Sequence, residues 1–432
     1  MEGNLLLDFY DELPAVVAHC VPDPAADPVS FDLPELDDAV REFFSVATAQ
    51  WRPLGEYRGH RVTLLDLTGN PGTHTTKTYA SLLIVARAVE HIRRTGRPVM
   101  IVSPTSANKG VALRDAVLRA LDAGLATPEQ LRIVTLAPQT GRDKLRATRL
   151  SKDPVLRALN PQLVYTGKEP EAVKALAREF VTEHAAALGM DVWFSLNLAN
   201  YMVADAARAL FEQRVDPISR PRTHAHAVSS AFGLLGYHAG RSLLEARGEA
   251  RVESRPASLL VQHLATTDMV LSLLFGSVDE SRMPAYTLDA ATGLYRRSGD
   301  DPHFPAVTYD PSEVLDATFY THRPVTSAAM NEIIGRFGGT GLVVSLAECV
   351  ARYPYLRNWL GSLPADFRTL REWSTVMAFT GVTNAIDRGL VEPDRDIVVH
   401  GTGCYTDSDM ELLCGDALVE VSDVADIAAA VY

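Results

Sequence analysis

The stretch from Thr68 to Gly96, "TGNPGTHTTKTYASLLIVARAVEHIRRTG", places one lysine at the start of an apolar helix. Apolar residues at 82, 85, 86 and 89 recur at helical spacing, and Gly96 is typical of the residue that ends a helix. Lys77 stands at the helix N-terminus, where the macrodipole favours anions over cations. Either Lys77 is merely solvated, or something covalent or anionic requires it there.

Short apolar segments that are typical of buried strands alternate with amphipathic helices along most of the chain. Strands are predicted at "RVTLLDL" (61–67), "RPVMIV" (97–102), "LRIVTLA" (131–137), "PQLVYTG" (161–167), "DVWFSLN" (191–197), "HAHAV" (224–228), "RPASLLVQHLA" (255–265) and "RDIVVHGTGCY" (395–405). This repeated order of strand and helix predicts an α/β fold with parallel or mixed sheets flanked by helices.

The sequence predicts an N-terminal extension and two domains. Residues 1–45 are rich in Pro and Asp and indicate an irregular extension. A smaller α/β domain is expected at 78–212, and a larger α/β domain at 46–77 plus 213–432. Within the larger domain, 277–325 has weak periodicity and many turn residues, which favours an insertion or an active-site flap.

Composition excludes several functional classes. The 432 residues carry 41 Lys and Arg against 54 Asp and Glu, a formal net charge of −13, which argues against a nucleic-acid binder. No apolar run is long enough for a membrane span. The acidic N-terminal sequence does not resemble a signal peptide, and the four cysteines form neither a metal pattern nor a disulfide framework. We therefore expect a reduced, cytoplasmic enzyme without a metal site.

Polar segments follow four of the predicted strands: "SPTSANKG" (103–110), "SLNLAN" (195–200), "SSAFGLLG" (229–236) and "HGTGCY" (400–405). Ligands in open α/β sheets bind beyond the carboxyl ends of the strands. We therefore expect these segments and Lys77 to lie around one cleft.

The order of these motifs resembles that of the fold type II, tryptophan-synthase-β-like, pyridoxal phosphate (PLP) enzymes, and is most similar to threonine synthase. "THTTKT" (73–78) stands where the family has Thr-Gly-Ser-Phe-Lys, which implies that Lys77 is the Schiff-base lysine. "TSANKG" stands where the family has Ser-Ser/Thr-Gly-Asn. The resemblance implies that Asn108 bonds the phenolic oxygen of the cofactor, and that Thr105, Ser106 and the backbone at Ala107 hold the substrate carboxylate.

Two later segments complete the resemblance. "SSAFGLLG" stands where the family has its glycine-rich phosphate loop, which implies that Ser229, Ser230 and Gly233 bind the cofactor phosphate. "HGTG" stands where threonine synthase has Thr-Gly, which implies that Thr402 is the partner of the pyridine nitrogen. "SLN" at 195–197 and "EWSTVMAF" at 372–379 also resemble threonine-synthase segments.

The sequence departs from the family pattern at three places. Phe232 replaces a glycine of the phosphate loop, where a side chain hinders close backbone approach to a phosphate. Asn200 stands where threonine synthases carry an arginine implicated in holding the substrate phosphate. Thr78 and Tyr79 replace the acidic and basic residues that usually follow the lysine. These departures imply that the chain retains the fold of the family but acts on a different substrate.

The resulting hypothesis is PLP-dependent β- or γ-elimination or replacement on a small amino acid of activated serine or homoserine type, in specialised metabolism, by a cytoplasmic homodimer. A neutral hydroxyl at the ring nitrogen weakens the electron sink, which favours elimination over transamination. Threonine synthase or threonine/serine dehydratase activity proper is the nearest alternative. A non-catalytic or regulatory PLP-fold scaffold is the alternative of another class, and Phe232 favours it. Lys77 as a solvated lysine and Asn108 as a simple helix cap also stay open.

Overall fold

The structure is a computed structural model that describes residues 1–21 and 31–432, apart from the side chain of residue 416. Part of the predicted irregular extension, 22–30, therefore lies outside the described residues. No helix among the described residues is long and apolar enough to cross a membrane.

Helices occur throughout the described chain. They are α1 (Leu13–Cys20), α2 (Asp38–Phe44), α3 (Lys77–Thr95), α4 (Asn108–Asp122), α5 (Arg149–Lys152), α6 (Pro154–Leu159), α7 (Ala172–His184), α8 (Leu198–Val215), α9 (Phe232–Ala246), α10 (Asp268–Phe275), α11 (Ser327–Phe337), α12 (Leu346–Leu360), α13 (Ser374–Asp387) and α14 (Val424–Val431).

The strands alternate with these helices. They are β1 (Glu2–Asn4), β2 (Thr48–Tyr57), β3 (His60–Asp66), β4 (Val99–Pro104), β5 (Leu131–Pro138), β6 (Gln162–Tyr165), β7 (Asp191–Phe194), β8 (Arg222–Ala227), β9 (Ala257–His263), β10 (Tyr286–Asp289), β11 (Leu294–Arg297), β12 (Val307–Thr308), β13 (Gly339–Val344), β14 (Leu370–Glu372), β15 (Asp396–Gly401), β16 (Tyr405–Thr406) and β17 (Val419–Val421).

Unit 1 is one of two compact units and comprises Met1–Gly3, Ala49–Thr68 and Asp205–Thr406. Its main sheet has the strand order β1-β2-β3-β15-β8-β9-β13. The strands from β3 to β13 in this order run parallel, whereas β2 pairs with β3 in the antiparallel direction. The helix α13 packs on one face of the sheet, where Phe379 is fully buried. The parallel strands place their carboxyl ends, and the loops that follow them, at one edge.

Unit 2 comprises Asn4–Thr48, Gly69–Ala204 and Asp407–Tyr432. Its five strands, in the order β17-β6-β5-β4-β7, are all parallel. The C-terminal residues, which the sequence analysis assigns to the larger domain, lie in this unit, because β17 pairs with β6 and α14 packs against α7. The mixed α/β architecture confirms the predicted fold class.

The predicted insertion, 277–325, belongs to unit 1 and contains a small antiparallel sheet of β10, β11 and β12. Phe304 lies within this segment and is fully buried. The hydroxyl of Tyr286 donates to the carbonyl of Pro305 at 2.9 Å. The segment therefore contains ordered structure of its own, and its role as a flap stays a prediction.

Candidate functional site

Lys77 is half-buried and is the first residue of α3 in unit 2. The helix α3 ends at Thr95 and the chain enters β4 at Val99, so Lys77 lies at the end of α3 that is remote from the start of β4. Asn108 is the first residue of α4, which follows the carboxyl end of β4 and packs against α3. Lys77 and Asn108 therefore open neighbouring helices at the same edge of the unit 2 sheet.

The threonines around Lys77 have different roles. The Oγ1 atoms of Thr73 and Thr78 share a hydrogen bond of 2.6 Å, which closes the loop onto the first turn of α3. The Oγ1 of Thr75 is buried and has no hydrogen-bond partner among the described residues. A buried hydroxyl without a partner costs free energy. Thr75 is therefore the hydroxyl of this loop that best suits a ligand contact.

Three residues that the sequence analysis missed hold this loop in place. The amide of Asn70 donates to Asp115 Oδ2 of α4 at 2.8 Å. The buried Arg146 donates to the carbonyls of Gly72 and Thr73 at 2.9 and 2.7 Å. Asn70 beside a Pro-Gly pair is a turn pattern that the sequence shows, but nothing local to Asp115 or Arg146 indicates these long-range contacts.

The Asn108 loop is held by the hydroxyl of Thr105. Its Oγ1 accepts from the backbone N–H of Ala107 at 3.1 Å and from that of Gly110 at 2.8 Å. Thr105 is thus buried as a cap for the first turn of α4, while Ser106 is half-buried and Asn108 is 8% exposed. The predicted contact of Thr105 and Ser106 with a substrate carboxylate stays a prediction.

Ala107 has a backbone conformation that is rare for any residue except glycine. Its φ is 133° and its ψ is −64°, and the residue is fully buried. Ala107 occupies the glycine position of the family motif, so the loop keeps a glycine conformation with an alanine in it. Such strain costs about 1–3 kcal/mol and persists only where the surrounding structure enforces it. His74 and Ala231, in two other predicted loops, also have positive φ, each 51°.

Lys109 is a further candidate that the sequence analysis missed. It is half-buried beside Asn108, and no carboxylate among the described residues forms an ion pair with it. Burial, reinforced by the charges of Lys77 and Lys174, lowers the pKa of Lys109 to about 7. The effect of Lys77 means that the two amines lie within electrostatic range of each other. At neutral pH this edge of unit 2 therefore offers an amine that is deprotonated in about half of the molecules.

The predicted phosphate loop lies in unit 1, after β8. Ser229 and Ser230 are half-buried, and Ala231 is the N-cap of α9. The carbonyl of Ser230 accepts a hydrogen bond of 2.7 Å from Thr326 Oγ1, which fixes the loop. The first N–H groups of a helix have no partner within the helix, so the first turn of α9, from Phe232, offers donors to an anion.

Thr402 follows β15, the strand beside β8. It is half-buried, and the next residue, Gly403, is held by α13, since its carbonyl accepts from the backbone N–H and the Oγ1 of Thr375 at 3.1 and 2.8 Å. Because β8 and β15 are parallel neighbours, Thr402 and Ser229 follow the same edge of the unit 1 sheet. The structure thus groups Lys77 with Asn108 in unit 2, and Ser229 with Thr402 in unit 1.

Asn200, the position where threonine synthases carry an arginine, binds an arginine from elsewhere in unit 2. Arg87 Nη1 donates to Asn200 Oδ1 at 2.6 Å, and both side chains are buried. The guanidinium of Arg87 lies 4.2 Å from the ring centroid of Phe31 and 5.9 Å from that of Trp193. Arg87 is ten residues from Lys77 on the same helix, a separation of about 15 Å. Asn200 is therefore part of a packed contact in the interior of the unit.

Three histidines of unit 1 could in principle bind a metal, because the nitrogens of His224, His226 and His400 lie within 4.8 Å of one another. His224 Nδ1 and His400 Nε2 are 2.9 Å apart, and Arg208 Nη1 donates to His400 Nδ1 at 3.2 Å. An arginine cannot accept a proton, so this contact fixes the proton of neutral His400 on Nε2. That proton then points at His224, where a metal would have to bind. The arrangement fits a hydrogen-bond chain and does not fit a metal centre.

A surface pocket of about 850 Å³ lies elsewhere in unit 1, lined by Asp268, 277–280, His322 and Arg323. His322 Nδ1 lies 3.1 Å from Asp268 Oδ2, and the backbone N–H of Arg323 donates to Asp268 Oδ1. None of the predicted site residues lines this pocket. Asp268 is thus engaged by His322 and by the backbone of Arg323, and the size of the pocket alone does not make it the functional site.

Solved structures share the fold of this chain at low sequence identity. Threonine synthase from yeast aligns with a TM-score of 0.56 and 11% identity over 99% of this chain and 89% of its own. PLP-bound threonine synthase from Brucella melitensis aligns with a TM-score of 0.53 and 14% identity over 91% and 80% of the two chains. A fungal L-serine ammonia-lyase from Rhizomucor miehei aligns with a TM-score of 0.51 and 15% identity over 84% of this chain and 94% of its own. The chain therefore has the fold of the fold type II PLP enzymes, as the sequence predicts.

Sequence comparison gives a family without an assigned activity. No curated protein sequence matches the chain. The model of a family of unknown function, DUF6002, matches residues 2–432, which is nearly the entire sequence. A match of this extent covers both units and every predicted site residue. The chain is a member of the DUF6002 family.

Proposed function

We propose that this protein binds PLP covalently through Lys77 and catalyses β- or γ-elimination or replacement on a small amino acid. The observation that carries the proposal is the position of Lys77 and Asn108 as the first residues of adjacent helices, in a chain with the fold of PLP enzymes. A merely solvated lysine requires neither the half-burial of Lys77 nor the ordered loop before it.

Each unit, taken by itself, offers side chains that suit a part of PLP. The unsatisfied Thr75 Oγ1 and the half-buried Lys77 offer a hydroxyl and an amine in unit 2. Ser229, Ser230 and the first turn of α9 offer hydroxyl and N–H donors suited to a phosphate dianion. Phe232 removes the flexibility of a glycine, but the hydroxyls of Ser229 and Ser230 can donate to a phosphate instead, so phosphate binding is altered rather than excluded.

Each proposed residue has one task. When bound, PLP supplies an aldehyde for the amine and an electron sink for the electrons left at Cα of the substrate. Lys77, once displaced by the substrate, removes the Cα proton as a base. Asn108 would bond the phenolic oxygen, and Thr402 would offer a neutral hydroxyl to the pyridine nitrogen, which would leave that nitrogen largely unprotonated.

We propose two net reactions, a replacement and an elimination. In a replacement, the Cβ or Cγ leaving group departs with a proton and an incoming nucleophile gives up its proton, so amino acid–X and Nu–H give amino acid–Nu and X–H. In an elimination, amino acid–X and water give an oxo acid, ammonia and X–H. The weakened electron sink favours both over transamination. We further propose an activated serine or homoserine type of substrate, a role in specialised metabolism, and a cytoplasmic homodimer, all on the basis of the family resemblance.

Threonine synthase activity proper is the second candidate, supported by the similarity in fold to two threonine synthases. The missing arginine at Asn200 argues against phosphohomoserine as the substrate. Arg87 does not replace it, because Asn200 and Phe31 already engage its guanidinium. Robust conversion of phosphohomoserine to threonine by the purified protein contradicts the proposal of a changed substrate.

The test combines a spectrum with a substrate panel. We expect the purified protein with PLP to show a visible absorption band that Lys77→Ala abolishes, while Lys152→Ala, an exposed lysine of unit 2, leaves it intact. Phosphohomoserine, phosphoserine, O-acetylserine, O-acetylhomoserine, threonine and serine are then added singly. The substrate is the one that shifts the band and yields oxo acid or adduct. A protein that stays colourless with added PLP is a non-catalytic scaffold.

A further inference from the structure

Arg208 is a buried cation directly behind the predicted phosphate loop. It lies on α8, is 1% exposed, and forms an ion pair with Asp205 one turn earlier. A Cβ atom placed on Gly233 would lie 2.8 Å from Arg208 Nη1 and 3.2 Å from its Cζ. Only a glycine lets the guanidinium lie so close to the first turn of α9. Because Gly233 has no side chain, the Arg208 guanidinium can pack against the first turn of α9.

The orientation of Arg208 is fixed from a second direction. Its Nη1 donates to His400 Nδ1 at 3.2 Å, His400 Nε2 lies 2.9 Å from His224 Nδ1, and His224 Nε2 lies 3.3 Å from Glu212 Oε1. Burial lowers the pKa of both histidines, so they stay neutral at pH 7. When both rings are neutral, every hydrogen bond in this series has one donor and one acceptor, since each histidine accepts at Nδ1 and donates at Nε2.

The chain of hydrogen bonds joins the elements that carry the predicted loops. His400 lies two residues before Thr402, and His224 lies on the strand that leads to Ser229. Glu212 also accepts from Arg222 at 2.6 Å and from the hydroxyl of Tyr237 on α9. Arg208 is therefore held directly by Asp205 of α8 and His400 of β15, and His400 is in turn bonded to His224 of β8.

We propose that Arg208 sets the affinity of the phosphate loop for the phosphate group of PLP, acting through Gly233 as a positioning residue. The inference rests on the proposed function. A cation in a water-excluded site acts on a nearby dianion with little screening. The effect compensates for Phe232, which replaces a glycine of the family loop. It concerns the phosphate alone, because the covalent bond to Lys77 needs only the aldehyde.

The test compares PLP with pyridoxal, which has the aldehyde but lacks the phosphate. Dissociation constants of both are measured from the visible band in the wild type, Arg208→Lys, and the double variant Asp205→Asn/Arg208→Gln, which removes both charges of the pair together. We expect the double variant to weaken PLP about tenfold or more and to leave pyridoxal within about threefold. Arg208→Lys keeps the charge and should retain most of the preference for PLP.

Separate results identify separate failures. If neither ligand gives a band with the wild type, the proposed function fails, and the inference fails with it. If the wild type binds PLP and the double variant weakens PLP and pyridoxal equally, Arg208 is only structural and the inference alone is wrong. Should the double variant not fold, Gly233→Ala displaces the guanidinium without removing it, and the same loss of preference for PLP over pyridoxal is expected. An unchanged preference in that variant overturns the inference.

Discussion

Arg208 in unit 1 and Lys109 in unit 2 are basic side chains near predicted site residues, and they differ in whether a carboxylate pairs with them. Arg208 in unit 1 is fully buried, where Asp205 pairs with it and His400 orients it. Lys109 in unit 2 has no carboxylate partner among the described residues, and burial with the charge of Lys77 lowers its pKa to about 7. Arginine stays protonated in proteins, whereas lysine loses its proton readily when buried. The first arrangement provides a fixed charge, and the second an amine that can exchange protons.

The strongest test of this contrast removes the partner of the fixed charge. Asp205→Ala leaves Arg208 buried and without its carboxylate, and we expect it to lower the free energy of unfolding by about 3–5 kcal/mol, as for other broken buried ion pairs. Urea denaturation followed by circular dichroism measures the change. Asp143→Ala, at an exposed residue of unit 2, is the control, and it should change the free energy of unfolding by less than about 1 kcal/mol. A loss below about 1 kcal/mol in Asp205→Ala means that Arg208 does not depend on the pair.

The matching test in unit 2 removes Lys109, which has no carboxylate partner among the described residues. Lys109→Met should stabilise the protein by about 1–3 kcal/mol below pH 7, because protonating a half-buried amine costs free energy in the folded state only. The folded pKa lies below the unfolded one, so the unfolded chain binds more protons between about pH 7 and the ordinary lysine range. The wild type should therefore gain stability as pH rises through this window.

The pH profile separates this mechanism from simple packing. Lys109→Met should lose the rise in stability between about pH 7 and 10, which thermal unfolding at several pH values measures. Lys152→Met, at a lysine that pairs with Glu411, should keep the wild-type profile. Stabilisation of Lys109→Met that is equal at pH 6 and pH 10 would show that Lys109 is charged in the folded state throughout.

The contrast also explains how much the sequence could predict. The strand–helix order was predictable because each element is a short local pattern, a loop followed by a helix or an apolar run, whereas the roles of Lys77 and Asn108 stay predictions. Arg208 was not, because its partners on α8, β15 and α9 are separated by up to 192 residues. The C-terminal strand β17 was missed for a similar reason, since only its pairing with β6 gives it a place in unit 2.

A third test addresses the strained residue of the Asn108 loop. Ala107→Gly should raise the free energy of unfolding by about 0.5–2 kcal/mol, because a relieved φ of 133° outweighs the entropy that glycine loses on folding. Ala112→Gly, a buried position of α4 with helical geometry, should instead lower it by about 1 kcal/mol. Opposite signs for two identical substitutions identify strain. Destabilisation by both substitutions means that the loop gains nothing from a glycine.

The smallest effect concerns the two threonines before Lys77. Thr73→Val removes a hydroxyl that bonds Thr78 Oγ1 at 2.6 Å, and should cost about 1 kcal/mol in urea denaturation. Thr75→Val removes a buried hydroxyl without a partner among the described residues, so the ligand-free protein should keep its stability or gain slightly. If Thr75 contacts a ligand, the same variant should weaken PLP binding several-fold. Equal losses of stability in the two variants would mean that the Thr75 hydroxyl already stabilises the loop. In that case unit 2 would offer PLP the amine of Lys77 and not the hydroxyl of Thr75.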